Sequence, residues 1–297
     1  MIENLFVKSS IWAQKAMRSY LEEEYEHFCV QAGVAFELLG KSLLANIHPS
    51  LIVDGDFDSL LQVCGAGSYS KRAPGNIRTI GAKDVLVRII QIVPQIKSYE
   101  QQLVFLSNMR NGVVHIGSIE TTNLSDVINS FLRASQIIVK QYNAANDDFF
   151  GEYLSTVNKF LDESSKEIER IVAIKLDHAK RVFTEKYGEF DKKTVEELAE
   201  AIRQLYALEE YYDEYEQCPV CPALGIASGN YEVDWEFDDP DDTTPSPKVT
   251  LFVHKFECRM CGLILKNLDE IKAAHMKESL ELDADKEFLL DLGYESP

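Results

Sequence analysis

Between Leu106 and Ser118 the chain reads LSNMRNGVVHIGS, and three side chains in it suit chemistry on a phosphodiester. Arg110 carries a planar, permanently charged fork that grips phosphate oxygens in pairs. An unperturbed histidine titrates at about 6.5, which suits His115 to taking up or releasing a proton near neutral pH. Asn111 can position an oxygen or orient the imidazole. Such a set would let RNA be cut without metal: one group manages the proton of the 2'-hydroxyl or of the leaving oxygen, and a cation stabilises charge on the phosphorane. The same residues also suit a routine helix end, because Asn111-Gly112 tolerates a left-handed backbone and Arg110 in a last turn complements the helix dipole. On an unbroken helix, Arg110 and His115 point about 140° from each other. The Asn-Gly pair is therefore expected to end the helix and let the two converge.

A second constellation lies near the C-terminus. Cys218 and Cys221 form one C-x-x-C pair, Cys258 and Cys261 another, with 36 residues between them. Two such knuckles, folded together, offer a tetrahedron of thiolates, so this spacing predicts one structural Zn2+ per chain. Four cysteine ligands leave no open coordination position, and catalysis at this metal is not expected. Gly262 suits the tight second knuckle, whereas Pro222 stands at the equivalent place in the first. His254 sits in an alternating strand pattern and is read as an exposed residue rather than a ligand. The site resembles a zinc ribbon. Cys29 and Cys64 are read as inert reduced thiols among apolar or small residues.

The elements that must hold these residues are mainly helical. Apolar residues recur every three to four positions from about Ile11 to Ile47, which predicts one amphipathic helix ended by His48-Pro49. A basic loop follows, CGAGSYSKRAPGN, carrying Lys71 and Arg72, with Arg78 just beyond it. Further helices are expected over about 82–92, 98–110 and 124–142, with Pro94 interrupting the first. Between Asp148 and Gln217 a charged helical hairpin breaks at YGEFDKKT, where Thr194 and Glu197 have capping-box spacing. NYEVDWEFDD alternates like a half-buried strand, KVTLFVHKFEC reads as its partner, and DDPDDTTPSP connects them. The fold class expected is mainly α: a helical bundle over 1–145, a charged hairpin over 146–216, and a zinc-ribbon-like β-hairpin with C-terminal helices over 217–297.

The first of these segments is similar to the HEPN superfamily, many members of which are metal-independent ribonucleases with an R-x(4 to 6)-H motif. Arg110, Asn111 and His115 match the motif, with four residues between Arg and His. The helix AGVAFELLGKSLLA resembles the family's A-x-E-x-x-x-K helix and places Glu37 and Lys41 in supporting roles. Without the resemblance, Glu37 and Lys41 make an i,i+4 ion pair. The resemblance implies an RNA substrate, no catalytic metal, and a homodimer in which motifs from two chains face one composite cleft. It also suggests a toxin or antiviral-defence role. Lys71, Arg72 and Arg78 would line the cleft and track the RNA backbone. Two other readings stay open: a non-catalytic interaction module, and an acidic nucleic-acid mimic.

Charge divides the chain unevenly. Residues 1–145 hold 13 basic and 13 acidic residues, and the remainder holds 17 and 36, so the whole net charge of -19 lies in the second part. A neutral segment can approach RNA, whereas the acidic one would repel it and favours a basic protein partner or simple solubility. The longest apolar run, VLVRIIQIVPQI, is too short to span a bilayer. No signal-like segment opens the chain, so a cytoplasmic location without membrane attachment is expected.

Overall fold

A computed structural model describes residues 4–73, 75–116, 124–205, 213–236 and 246–282, including side chains except at 111–116 and 236. The described residues are mostly helical (66%), with a small antiparallel sheet towards the C-terminus, in keeping with a mainly-α class. It forms two compact units, Met1–Glu163 and Ser164–Pro297.

The first unit is built around one helix. The expected single helix over 11–47 is two: α1 (Leu5–Leu21) and α2 (Tyr25–Ile47). Glu23 adopts φ +60 between them, and Glu24 N–H donates back to Ser19 O at 2.8 Å. That pattern is a helix C-cap closed without glycine. Three successive glutamates repel one another and favour solvent over a continued helix, which the apolar periodicity alone does not reveal. Phe28, Ala32, Ala35, Leu39, Leu43 and Leu44 of α2 are buried, and α2 packs on α1, on α4 (Ala82–Ile92), on α5 (Glu100–Ile116) and on α6 (Leu124–Gln141). By length and composition α2 could cross a membrane, yet 72% of its apolar window is buried in the unit, as in a core helix. His48 is extended before Pro49 and ends it. A short helix not anticipated from the sequence, α3 (Phe57–Val63), starts at Asp56, whose carboxylate accepts Ser59 N–H at 2.9 Å.

The end of α5 corrects the sequence reading. The helix does not stop at Arg110 but runs through Asn111-Gly112 to Ile116. Glycine inside a helix costs about 1 kcal/mol relative to alanine, and it permits a left-handed turn without requiring one. Leu103, Leu106 and Met109 hold the preceding turns in the core.

After the short α7 (Asn146–Phe150) of the first unit comes α8 (Leu154–Tyr187), which begins in that unit and, with α9 (Lys192–Leu205), precedes the five-stranded sheet of the second. The capping residue of α9 is Asp191, which accepts Thr194 N–H at 3.1 Å, and not Thr194 itself. Strands β1 (Asp213–Gln217), β2 (Leu224–Glu236), β3 (Ser246–Glu257) and β4 (Ile264–Leu265) lie in that order, all antiparallel. β5 (Ser279–Leu282) also pairs with β3. Val172, Ala179, Val195 and Ala199 of the helices share one core with Leu251, Val253 and Phe256 of β3. The segment read as a separate hairpin thus folds as part of the same unit as the ribbon, and residues 146–163 go with the first unit. α10 (Leu268–Ala273) follows β4. Most of the DDPDDTTPSP connection and the chain after residue 282 lie outside the described residues.

Gly229 sits where the β2–β3 register shifts, and a Cβ there would collide with the Phe252 carbonyl. Gly229→Ala is therefore expected to destabilise the second unit by about 1–3 kcal/mol, the cost of forced overpacking. A lowered midpoint in chemical denaturation, followed by a probe in that unit, checks it.

Candidate functional site

The four cysteines meet as their spacing predicts. Cys218, Cys221, Cys258 and Cys261 are all buried, and their sulfurs lie within 4.8 Å of one another. Cys218 Sγ is 3.6 Å from Cys261 Sγ, and Cys221 Sγ is 3.5 Å from Cys258 Sγ. A metal about 2.3 Å from each sulfur would set tetrahedral edges of about 3.8 Å, so the set fits a metal and is far too wide for disulfides. Both knuckles close alike: Cys218 N–H donates to Ala223 O at 3.1 Å, and Cys258 N–H to Leu263 O at 2.9 Å. The second has an added bond, Gly262 N–H to Cys258 O at 2.8 Å, with Gly262 at φ +75. Pro222 has no N–H to make the equivalent bond, which is the physical content of that departure. Hydrogen bonding among the buried sulfurs, that of Cys218 above all, holds Cys258 below the ordinary thiol range and pushes Cys221 above it. His254 lies on β3, half-buried, and is not among the clustered ligands.

In the first unit the structure joins three of the predicted residues across the sequence. Glu37 Oε2 accepts from Arg110 Nη1 at 2.5 Å and Glu37 Oε1 from Lys41 Nζ at 2.7 Å. Lys41 Nζ also donates to Thr79 Oγ1 at 3.1 Å. The i,i+4 pair on α2 is therefore real, and Arg110 of α5 completes it. Lys41 is 7% exposed, so these bonds offset the cost of burying its ammonium group. Burial alone would push the Glu37 carboxyl up, but the bonds from Lys41 and Arg110 outweigh it and hold the group below its ordinary range. Gly33, one turn before Glu37, makes room for the arginine: a Cβ there would stand 3.1 Å from Arg110 Cβ and Cδ. Gly33 and Thr79 were not anticipated. Gly33 was legible in principle, since it precedes Glu37 by one helical turn on the same face. The Asn111 and His115 side chains lie outside those described, although α5 includes both positions.

Acidic and amide partners order the basic loop, and of its three cations Arg72 is paired with a carboxylate. Arg72 Nε is 2.9 Å from Asp56 Oδ2, and Lys71 N–H donates to Asp58 Oδ1 at 2.6 Å. Gln62 ties the loop to α3, accepting Gly75 N–H at 3.0 Å and donating to Ala73 O at 3.1 Å. Lys71 and Arg78 are exposed, and Arg72 is half-buried against its carboxylate. The bonds of Lys71 and Arg72 run to Asp58 and Asp56 rather than to the Glu37 network. Arg78 adjoins Thr79, whose hydroxyl is part of that network. Of the remaining thiols, Cys29 is buried and pushed up to about 12, chiefly by burial, whereas Cys64 is exposed beside Gly65 and Ala66.

Comparison with protein-family models, with curated proteins and with solved structures gave no match to this chain.

Proposed function

We propose that the chain is a metal-independent endoribonuclease of the HEPN type that acts as a dimer, with a structural zinc in its second unit. The observation that supports this most is the Glu37–Lys41–Arg110 network, in which residues 73 positions apart and matched independently to the family meet at a bond. In this reading Arg110, fixed by Glu37 and Lys41, supplies positive charge to the scissile phosphate, and His115 moves the proton of the 2'-hydroxyl or of the leaving oxygen. Because α5 is continuous, positions 110 and 115 are about 140° apart on it. A second copy then replaces the helix break as the means of convergence, each chain offering its position 115 to a shared cleft. The four thiolates hold zinc as a folding element and take no part in the reaction.

The test is incubation of purified protein with RNA in the presence of a chelator too weak to strip the zinc. We expect products ending in 2',3'-cyclic phosphate, and at least a hundredfold loss of rate in His115→Ala and in Arg110→Ala. Equal cleavage by all three proteins would remove the proposal. A second reading is favoured by one observation: Glu37 already occupies the Arg110 fork. On that basis the first unit is a HEPN-like interaction module without activity, and the acidic part recruits a basic protein. Intact RNA in every reaction, with the protein dimeric and zinc-loaded, would select it.

A further inference from the structure

A cleft that opens to solvent lies between α2, α4 and α5 of the first unit. Its apolar walls come from Phe36, Leu86, Leu103, Val104 and Leu106. Four of these are buried core residues and give a rigid floor, while Val104 is 40% exposed at the mouth. Lys83, Ser107 and Asn108 supply the polar groups, and no acidic residue is among the described residues of the lining. Asp84 is in the same turn as Lys83 but does not line the cleft. α4 begins at Lys83's own turn, so the positive end of its dipole adds to the ammonium charge.

Two observations tie this cleft to the candidate site residues, one to Arg110 and one to position 115. Gly33, which leaves room for Arg110, is also part of the cleft wall. At helical spacing, positions 104, 107 and 108 of α5 share one stripe with positions 111 and 115. The cleft and the candidate proton-transfer position therefore lie along one face of one helix.

An apolar slot with a hydroxyl and a carboxamide at its lip and a single cation at one end matches a flat ring with a hydrogen-bonding edge and an anionic tail. We infer that this cleft is a nucleotide subsite. The base lies against Phe36, Leu86 and Val104, its edge bonds Ser107 and Asn108, and its phosphate meets Lys83. The choice of a nucleotide as ligand rests on the ribonuclease reading. A free nucleotide and one residue of an RNA strand share this chemistry.

The experiment titrates the full chain with each of the four 5'-mononucleotides, adenosine and a six-residue RNA, followed by ligand-observed NMR. It compares the wild type with Val104→Trp, Lys83→Ala and Asn108→Ala. Because these three positions are exposed, we expect unchanged melting. At least one mononucleotide or the RNA should saturate the wild type and lose binding in Val104→Trp. Lys83→Ala should weaken phosphorylated ligands about fivefold, the upper value for an exposed ion pair, and leave adenosine unaffected. Asn108→Ala should alter the order of preference among bases, and it serves in place of Val104→Trp if that variant misfolds. Binding of RNA alone would assign the site to a strand, and binding of mononucleotides to a free ligand as well. No saturable binding to the wild type, or binding indifferent to these variants, overturns the subsite. Cleavage measured on the same samples separates the two proposals. Variant-sensitive binding without cleavage sinks the nuclease alone, and cleavage without such binding sinks the subsite alone.

Discussion

Cys258→Ser should release the proposed zinc and unfold the second unit. Cys258 is fully buried, and the other three sulfurs reach it across both knuckles. Binding at such sites contributes on the order of 10 kcal/mol to a folded domain, more than the whole stability of many domains. The helices of the first unit have their own core, with no cysteine ligand in it, and should persist. Elemental analysis is expected to give one zinc per wild-type chain and less than about a tenth of that in the variant, since three thiolates with a hydroxyl hold the ion poorly. Circular dichroism should retain most helical signal, while proteolysis should become rapid beyond residue 163. A strong chelator on the wild type should reproduce the result. A Cys258→Ser protein that melts like the wild type would contradict the assignment of the four sulfurs to a metal.

The second large effect concerns Glu37. Replacing it by alanine takes the anion from between Lys41 and Arg110, and Lys41 is almost fully buried. Removing one partner of a buried ion pair costs about 3 kcal/mol at the low end. Glu37→Gln keeps the shape and hydrogen-bonding capacity and should cost less. The pH dependence has a defined sign. The folded carboxyl lies below its ordinary value of 4.5, so its contribution is fully present above that value and is lost as pH falls through the lower folded one. The stability difference between wild type and Glu37→Gln should be constant from pH 5 to 7 and shrink in acid. Denaturant titrations at several pH values check this, and a difference that grows on acidification would contradict the network.

The two sites differ in how far residue order alone reveals them. The thiolate cluster was legible because C-x-x-C fixes two ligands on one knuckle, and only one long-range pairing remained to be supplied. The Glu37–Lys41 pair was legible for the same reason, being one helical turn. Its bond to Arg110 was not: that contact depends on α2 and α5 packing closely, which in turn depends on Gly33 having no side chain. The end of α5 was misread because Asn-Gly permits a break and does not compel one, and the core contacts of Leu103, Leu106 and Met109 decide. β1 escaped notice because DEYEQ has no apolar alternation and is held by backbone pairing at a sheet edge. The split between α1 and α2 was hidden by an apolar period that continues across three glutamates.

The central claim, cleavage by 2'-hydroxyl attack without a catalytic metal, is tested most directly by changing the nucleophile. An RNA that the wild-type chain cuts should be compared with its 2'-O-methyl counterpart in the same chelator-containing buffer. The account predicts cleavage of the RNA to 2',3'-cyclic phosphate ends and an intact methylated strand. Cleavage of both strands, or products bearing 5'-phosphate and 3'-hydroxyl ends, would contradict it.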